Sequence, residues 1–242
     1  MDPEYILGDP VKVCNPLGIN KLGTLGSAYG MYLAGYKGGR NEGLAYGRDK
    51  EGIYFDWDMT SCYTTVMSLL GNPDYSKGHY LSEKELKEMD DEDIFNSYTI
   101  MLVEIEQKTS VKYPIVPMLA RGEKSNWVYS RQGEAFITGL EYIKLKHLKS
   151  SIKVLSCFYI PFEKNAEGKI INKPYFKFIT YVQSKRLEYG KGSSSERMWK
   201  DIGNMCYGSS VTGLSNKMKY NPRTDQTERM VGTYISNPLI GG

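Results

Sequence analysis

Asp56 and Asp58 close a β-rich run, Tyr54-Phe55-Asp56-Trp57-Asp58, and Ser61 and Tyr63 follow at fixed offsets. Carboxylate oxygens are hard ligands suited to Mg²⁺ (or Mn²⁺), and phosphoryl transfer to a nucleotide needs such cations to bridge the triphosphate. A regular strand would turn both aspartates to one face, and a strand end holds a ligand more rigidly than a loop. Far downstream, Lys200, Asn204 and Tyr207 stand at i, i+4 and i+7, which places them on one face of a helix. There Lys200 offers a compact ammonium to phosphate, and Gly208 allows backbone or base to approach closely.

Two further clusters carry the same kind of chemistry. Lys185, Arg186 and Lys191 form a basic group broken by Tyr189, Gly190 and Gly192, which taken alone reads as solvated surface. Tyr36-Lys37-Gly38-Gly39 combines a stacking ring, a cation for phosphate and glycines for close backbone approach, a set suited to single-stranded nucleic acid.

D-x-x-S-x-Y followed by K-x3-N-x2-Y-G resembles motifs A and B of the family B DNA polymerases. Tyr36-Lys37-Gly38-Gly39 resembles the YxGG element of their protein-primed branch, so the likeness runs from about Leu22 to the end. Its spacing is met by Asp58, Ser61 and Tyr63, whereas Asp56 would need a serine where Met59 stands. The resemblance implies an α+β fold: a partial polymerase palm with YxGG and motif A over 1–74, and a terminal-protein-region-like insertion over 75–174. Helical fingers with motif B would follow over 175–210, then a second terminal-protein-region-like hairpin and the start of a return to the palm over 211–242.

By the same resemblance the chain would serve template-directed DNA synthesis from a protein primer. Asp58 would hold Mg²⁺ or Mn²⁺, and Lys200 would grip the triphosphate. Ser61, Cys62, Tyr63, Arg186, Lys191, Asn204 and Tyr207 would meet the nucleotide, Tyr63 excluding a 2′-hydroxyl. Tyr36, Lys37, Gly38, Gly39 and Gly208 would contact DNA. The implied partners are template and primer DNA, dNTPs and a terminal protein, with no membrane. Thr64 stands where the family commonly has Pro, implying an altered turn, and Met205 where it has Ser. No Y-x-D-T-D-S-like hairpin or D-x-E exonuclease signature occurs, so a central fragment of a larger polymerase, lacking full activity alone, is expected. Two alternatives are a non-catalytic DNA-binding module derived from a polymerase and a nucleotide-sugar transferase using Asp56-Trp57-Asp58 as a D-x-D site.

These residues need elements to position them. The pattern predicts a short helix from Lys21 to about Leu33, a strand over Tyr54–Asp58, and a helix from Ser61 to about Leu70 ended by Gly71-Asn72-Pro73. Ser82 and Glu85 form a capping-box pattern, and Asp90, Asp91, Glu92 and Asp93 read as a solvated helix end. Strands are expected over Tyr98–Ile105 and Ile152–Ile160, with an amphipathic helix over Glu134–Leu148 between them. Lys144, Lys146, Lys149 and Lys153 read as a solvated face. The turn-rich first residues have no clear period, with Pro3, Gly8, Pro10, Pro16 and Gly18.

Composition agrees without deciding. At 242 residues the chain can bury a sizeable core, and its formal net charge of +3 leaves any nucleic-acid surface to local clustering. Cys14, Cys62, Cys157 and Cys206 are too dispersed for a disulfide framework or zinc site, which favours a reducing compartment. With no leader-like start and no apolar run long enough to span a bilayer, a soluble intracellular protein is expected.

Overall fold

The structure is a computed structural model that describes residues 24–37, 39–40, 43, 47, 52–55, 57–59, 61–119, 127–211 and 218–229. Gly38, Asp56, Cys14, the turn-rich start and the last residues lie outside them.

The central layer is a four-stranded antiparallel sheet. Its strands are β1 (His79–Tyr80), β2 (Ser97–Glu106), β5 (Gln132–Thr138) and β6 (Ser151–Pro161), in the order β1-β6-β2-β5. Short β3 (Met118–Leu119) and β4 (Trp127–Val128) pair with each other. Side chains on a strand alternate between faces, and β2 fills both. Met101, Val103 and Ile105 join one core with Ile94, Ile137, Leu145 and Leu86, while Tyr98 and Ile100 join another with Tyr32, Phe158 and Phe162.

Helix α1 (Thr24–Gly35) covers the second face of the sheet and overlaps the helix expected from Lys21 to about Leu33. Its Tyr32 hydroxyl donates to Tyr98 O at 2.7 Å. Helices α3 (Glu83–Glu88), α4 (Asp91–Phe95) and α5 (Gly139–His147) contribute to the first core. The Ser82 capping box forms as expected, with Ser82 N donating to Glu85 Oε2 at 2.7 Å and Glu85 N to Ser82 Oγ at 3.3 Å. The acidic cluster is the start of α4, tied by Lys146–Asp91 (2.6 Å) and Lys164–Asp93 (2.9 Å) ion pairs.

Two expectations are corrected. Residues 134–138 form the second half of β5, and helix begins only at Gly139. Pairing with β2 from Ile100↔Thr138 to Glu106↔Gln132 satisfies their backbone, and Thr138 with Glu141 then caps the helix. That T-x-x-E pattern was readable in the sequence. Among the described residues, none of Tyr54–Asp58 belongs to a strand. A strand needs neighbours for its N–H and C=O groups, and here Ile53, Tyr54, Phe55, Trp57 and Met59 are exposed, Trp57 at 89%.

A second assembly is helical. Helix α2 (Cys62–Leu69) packs on α6 (Phe176–Tyr189) and α7 (Ser194–Val211), which lie against each other. Met67, Ile179 and Val182 are buried there, and Gly203 permits the approach. A Cβ at Gly203 would meet Val182 Cγ1 at 3.3 Å and Thr64 Cγ2 at 3.5 Å. The segments flanking the sheet are stitched together: Asn72 N donates to Asn172 O at 2.9 Å, and Glu163 N to Asn72 O at 2.8 Å. After α7, β7 (Met218–Asn221) and β8 (Gln226–Arg229) form a hairpin whose turn carries Asp225 at φ 55.

Candidate nucleotide and template site

The turn after Asp58 is built around Ser61, a non-glycine residue in the left-handed region at φ 55 and ψ 37. Such a conformation costs on the order of 1 kcal/mol and needs support from its surroundings. Part of that support is local: Thr65 N and Thr64 Oγ1 both donate to Ser61 O, at 2.9 and 3.0 Å. Thr64, at the position that departs from the family pattern, is buried and closes this turn.

The rest comes from 125 residues away. Arg186 Nη1 donates to Ser61 Oγ at 2.5 Å, while Nε and Nη2 of the same guanidinium donate to Glu196 Oε1 at 2.9 and 2.8 Å. Both side chains are largely buried, with exposures of 19% and 12%. The hydrogen bond from Arg186 holds the Glu196 carboxyl below its usual range, and Lys200, one turn along the same helix, adds to this. Helix α6 ends at Gly190 (φ 71), and the connection to α7 includes exposed Lys191 and Gly192 (φ 92).

Beside this turn the tyrosines gather. Tyr63 stacks on Tyr207, ring centroids 4.6 Å apart. Burial pushes the Tyr207 phenol pKa up, with Tyr36 and Tyr63 as further contributors. Gly39 lies so close that a Cβ there would sit 3.2 Å from the Tyr63 hydroxyl. The described part of the YxGG element, the start of α2 and the far part of α7 therefore meet. Lys37 is directed away from solvent: its Nζ donates to Phe136 O on β5 at 2.6 Å, and burial lowers its pKa. A cleft of about 470 Å³ opens here, lined among others by Lys37, Cys62, Tyr63, Tyr98, Thr138 and Tyr207.

Asp58, Lys200 and Asn204 are exposed, the last two on α7, and Cys62 is a half-buried free thiol. Space beside Gly208 is open, with no atom within 4 Å of where a Cβ would be. Among the described residues no three His, Cys, Asp or Glu side chains are grouped to hold a metal. A lone exposed carboxylate such as Asp58 would offer a cation one hard oxygen ligand. That fits a cation completed by water and substrate phosphate, and does not fit an all-protein cage. Of the basic residues, Lys185 pairs with Glu188 (2.6 Å), Lys146 with Asp91 and Lys153 with Glu104 (2.9 Å).

Sequence reasoning missed Glu196, Gly203 and Phe136. Glu196 carried one readable signal: Ser193, three residues earlier, is an N-terminal capping pattern, and Glu196 N donates to Ser193 Oγ at 3.0 Å.

The mixed helix and antiparallel-sheet fold is similar to part of a solved DNA polymerase. It superposes on phi29 DNA polymerase complexed with primer-template DNA and incoming nucleotide substrates with a TM-score of 0.50 and 13% identity, covering 98% of this chain and 42% of that one. In sequence it is 24% identical over 207 residues to the primer-independent DNA polymerase PolB of Escherichia coli, covering 85% of this chain. It spans 23% of that relative's length. No family model matches. The chain is thus similar in sequence to a DNA polymerase and in fold to part of another. Among the described residues no helix is long and apolar enough to cross a membrane.

Proposed function

We propose that this chain forms the nucleotide- and template-binding part of a template-directed DNA polymerase. The observation that carries the reading is the meeting of Gly39, Tyr63 and Tyr207, three residues drawn from the three separate motifs. In this reading, Asp58 holds Mg²⁺ or Mn²⁺ together with substrate phosphates, a position that lets the cation supply charge neutralisation during transfer. Lys200 and Arg186 face the triphosphate, with Lys191 on the loop between their helices. Ser61 and Cys62 present the turn, Tyr63 forms the wall beneath the sugar, and Asn204 and Tyr207 line the base pair. Tyr36, the glycines after it and Gly208 meet the template. Lys37, tied to Phe136 O, braces the template loop against the sheet.

The hydrogen-bonded pairs at Asn72, Asn172 and Glu163 bring the start and end of residues 75–174 side by side, as an insertion into a palm requires. Helices α6 and α7 serve as fingers, and the β7–β8 hairpin as the second terminal-protein-type element. The exposed Ile53, Phe55, Trp57 and Met59 suit a part of a palm that a longer polymerase chain completes, where the second carboxylate would reside.

Titration with single-stranded and primer-template DNA at two salt concentrations tests the DNA part. Weak binding that falls steeply with salt is expected, because phosphate contacts release counterions. Salt-independent binding, or none at low salt, overturns it. Binding that survives in a longer chain incapable of synthesis would instead support the non-catalytic module. Protein-primed initiation is separated from other modes by assays with a terminal protein, with a DNA primer and with no primer, the last because the Escherichia coli relative is named primer-independent.

A further inference from the structure

Arg186 divides its guanidinium between two jobs. Its Nε and Nη2 edge faces Glu196, and Nη1 faces Ser61 Oγ on the turn that follows Asp58. A guanidinium is a rigid planar fork, so fixing one edge fixes the direction of the other. Glu196 is itself fixed, its backbone N–H held by Ser193 Oγ at the start of α7 and its side chain 12% exposed. Ser61, meanwhile, has an unusual backbone, and its hydroxyl gives α2 no cap, leaving Oγ to Arg186.

We propose that Glu196 is a positioning residue for nucleotide binding: it aims Arg186 at the Ser61 turn and so fixes the edge of the guanidinium that meets the Ser61 hydroxyl. This rests on the function proposed above and goes beyond it in assigning Glu196 and the order of action, Glu196 through Arg186 to Ser61. Three segments are joined by one cation: the Asp58 turn, the end of α6 and the start of α7. Lys200 lies one helical turn beyond Glu196, so the same contact sets the spacing between the α7 ammonium and the Asp58 turn. A carboxylate that merely occupied the site in competition with phosphate would have the opposite effect on affinity.

The test uses the 242-residue chain in two arms. In the first, amide hydrogen exchange is followed at Thr65, whose N–H donates to Ser61 O, with Met101 in β2 as internal control. Glu196→Ala should speed exchange at Thr65 by about tenfold, as expected for loss of a charge-assisted hydrogen bond, with Met101 unchanged. Ser61→Ala should do the same, and the double variant should add little, since both act through one guanidinium. In the second arm, Mg²⁺-dATP affinity should fall by about five- to tenfold in Glu196→Ala and by less in Glu196→Gln, which keeps an acceptor for Arg186. Unchanged exchange at Thr65, additive effects, or tighter nucleotide binding in Glu196→Ala would each overturn the proposal. If the unaltered chain binds no Mg²⁺-dATP, the polymerase reading of this chain fails, while the exchange arm still decides whether Glu196 holds the turn.

Discussion

Tyr63 and Tyr207 stack with their ring centroids 4.6 Å apart and their planes 26° from parallel, joining the start of α2 to the far part of α7. Tyr63 remains 54% exposed, so one side of the pair is open to a ligand. In a polymerase containing this chain, Tyr63→Val removes that wall and the stack without touching Asp58 or Lys200. DNA synthesis should persist while ribonucleotides become acceptable substrates. Primer extension with dNTPs and with rNTPs checks this, and a variant that still rejects rNTPs contradicts the role given to Tyr63.

Gly71 joins α2 to the sheet, and its carbonyl accepts from the Tyr98 hydroxyl at 3.0 Å. A Cβ there would lie 2.5 Å from Phe162 Cγ and Cδ2 and 2.8 Å from its Cβ. Phe162 is buried against Tyr98 and has little room to move. Gly71→Ala should therefore destabilise by about 1–3 kcal/mol, the usual range for overpacking. Urea denaturation should show a lower midpoint with an unchanged slope.

The elements that alternate or cap strongly were legible: β2, β6, α1, α2 and the Ser82 capping box each follow from local pattern. The region around Ala135–Thr138 was not, because Leu140, Tyr142, Ile143 and Leu145 have helical spacing that runs visually into the preceding strand. What decides there is β2 lying alongside, a partner far away in sequence. The same physics works in reverse around Phe55 and Trp57, which are β-prone residues that lie in no strand. At the site, motif spacing singled out Gly39, Tyr63 and Tyr207, and these three residues meet. The Glu196–Arg186–Ser61 relay was not, since nothing local announces which acid an arginine will choose.

The Asp91 carboxyl is held below its usual range chiefly by the hydrogen bond from Lys146, with His147 Nε2 also near at 3.3 Å. Because the folded pKa lies below the unfolded one, this contribution is complete above the ordinary carboxylate range and disappears as pH falls through the folded value. The pair is partly exposed, so its worth is at most about 1 kcal/mol. Asp91→Asn should lower the urea midpoint slightly at pH 7 and by less at an acidic pH where the carboxyl is protonated in both states. Equal losses at the two pH values would show that the ion pair is not the cause.

Asp58 is an exposed carboxylate, and among the described residues no three His, Cys, Asp or Glu side chains are grouped to hold a metal. This chain should hold Mg²⁺-nucleotide loosely, because one carboxylate leaves the cation largely hydrated. Isothermal titration with Mg²⁺-dATP should therefore show weak affinity that declines further in Lys200→Ala, where a triphosphate charge is lost. In a longer polymerase chain that adds the second carboxylate, incorporation should be restored, and Asp58→Asn should abolish it by removing a metal ligand. Lys200→Ala in that protein should raise KM for dNTP more than it changes binding to primer-template DNA, as the triphosphate role proposed for its ammonium implies. Extension that survives Asp58→Asn would remove the metal-ligand assignment, and with it the polymerase mechanism built on the Asp58 turn.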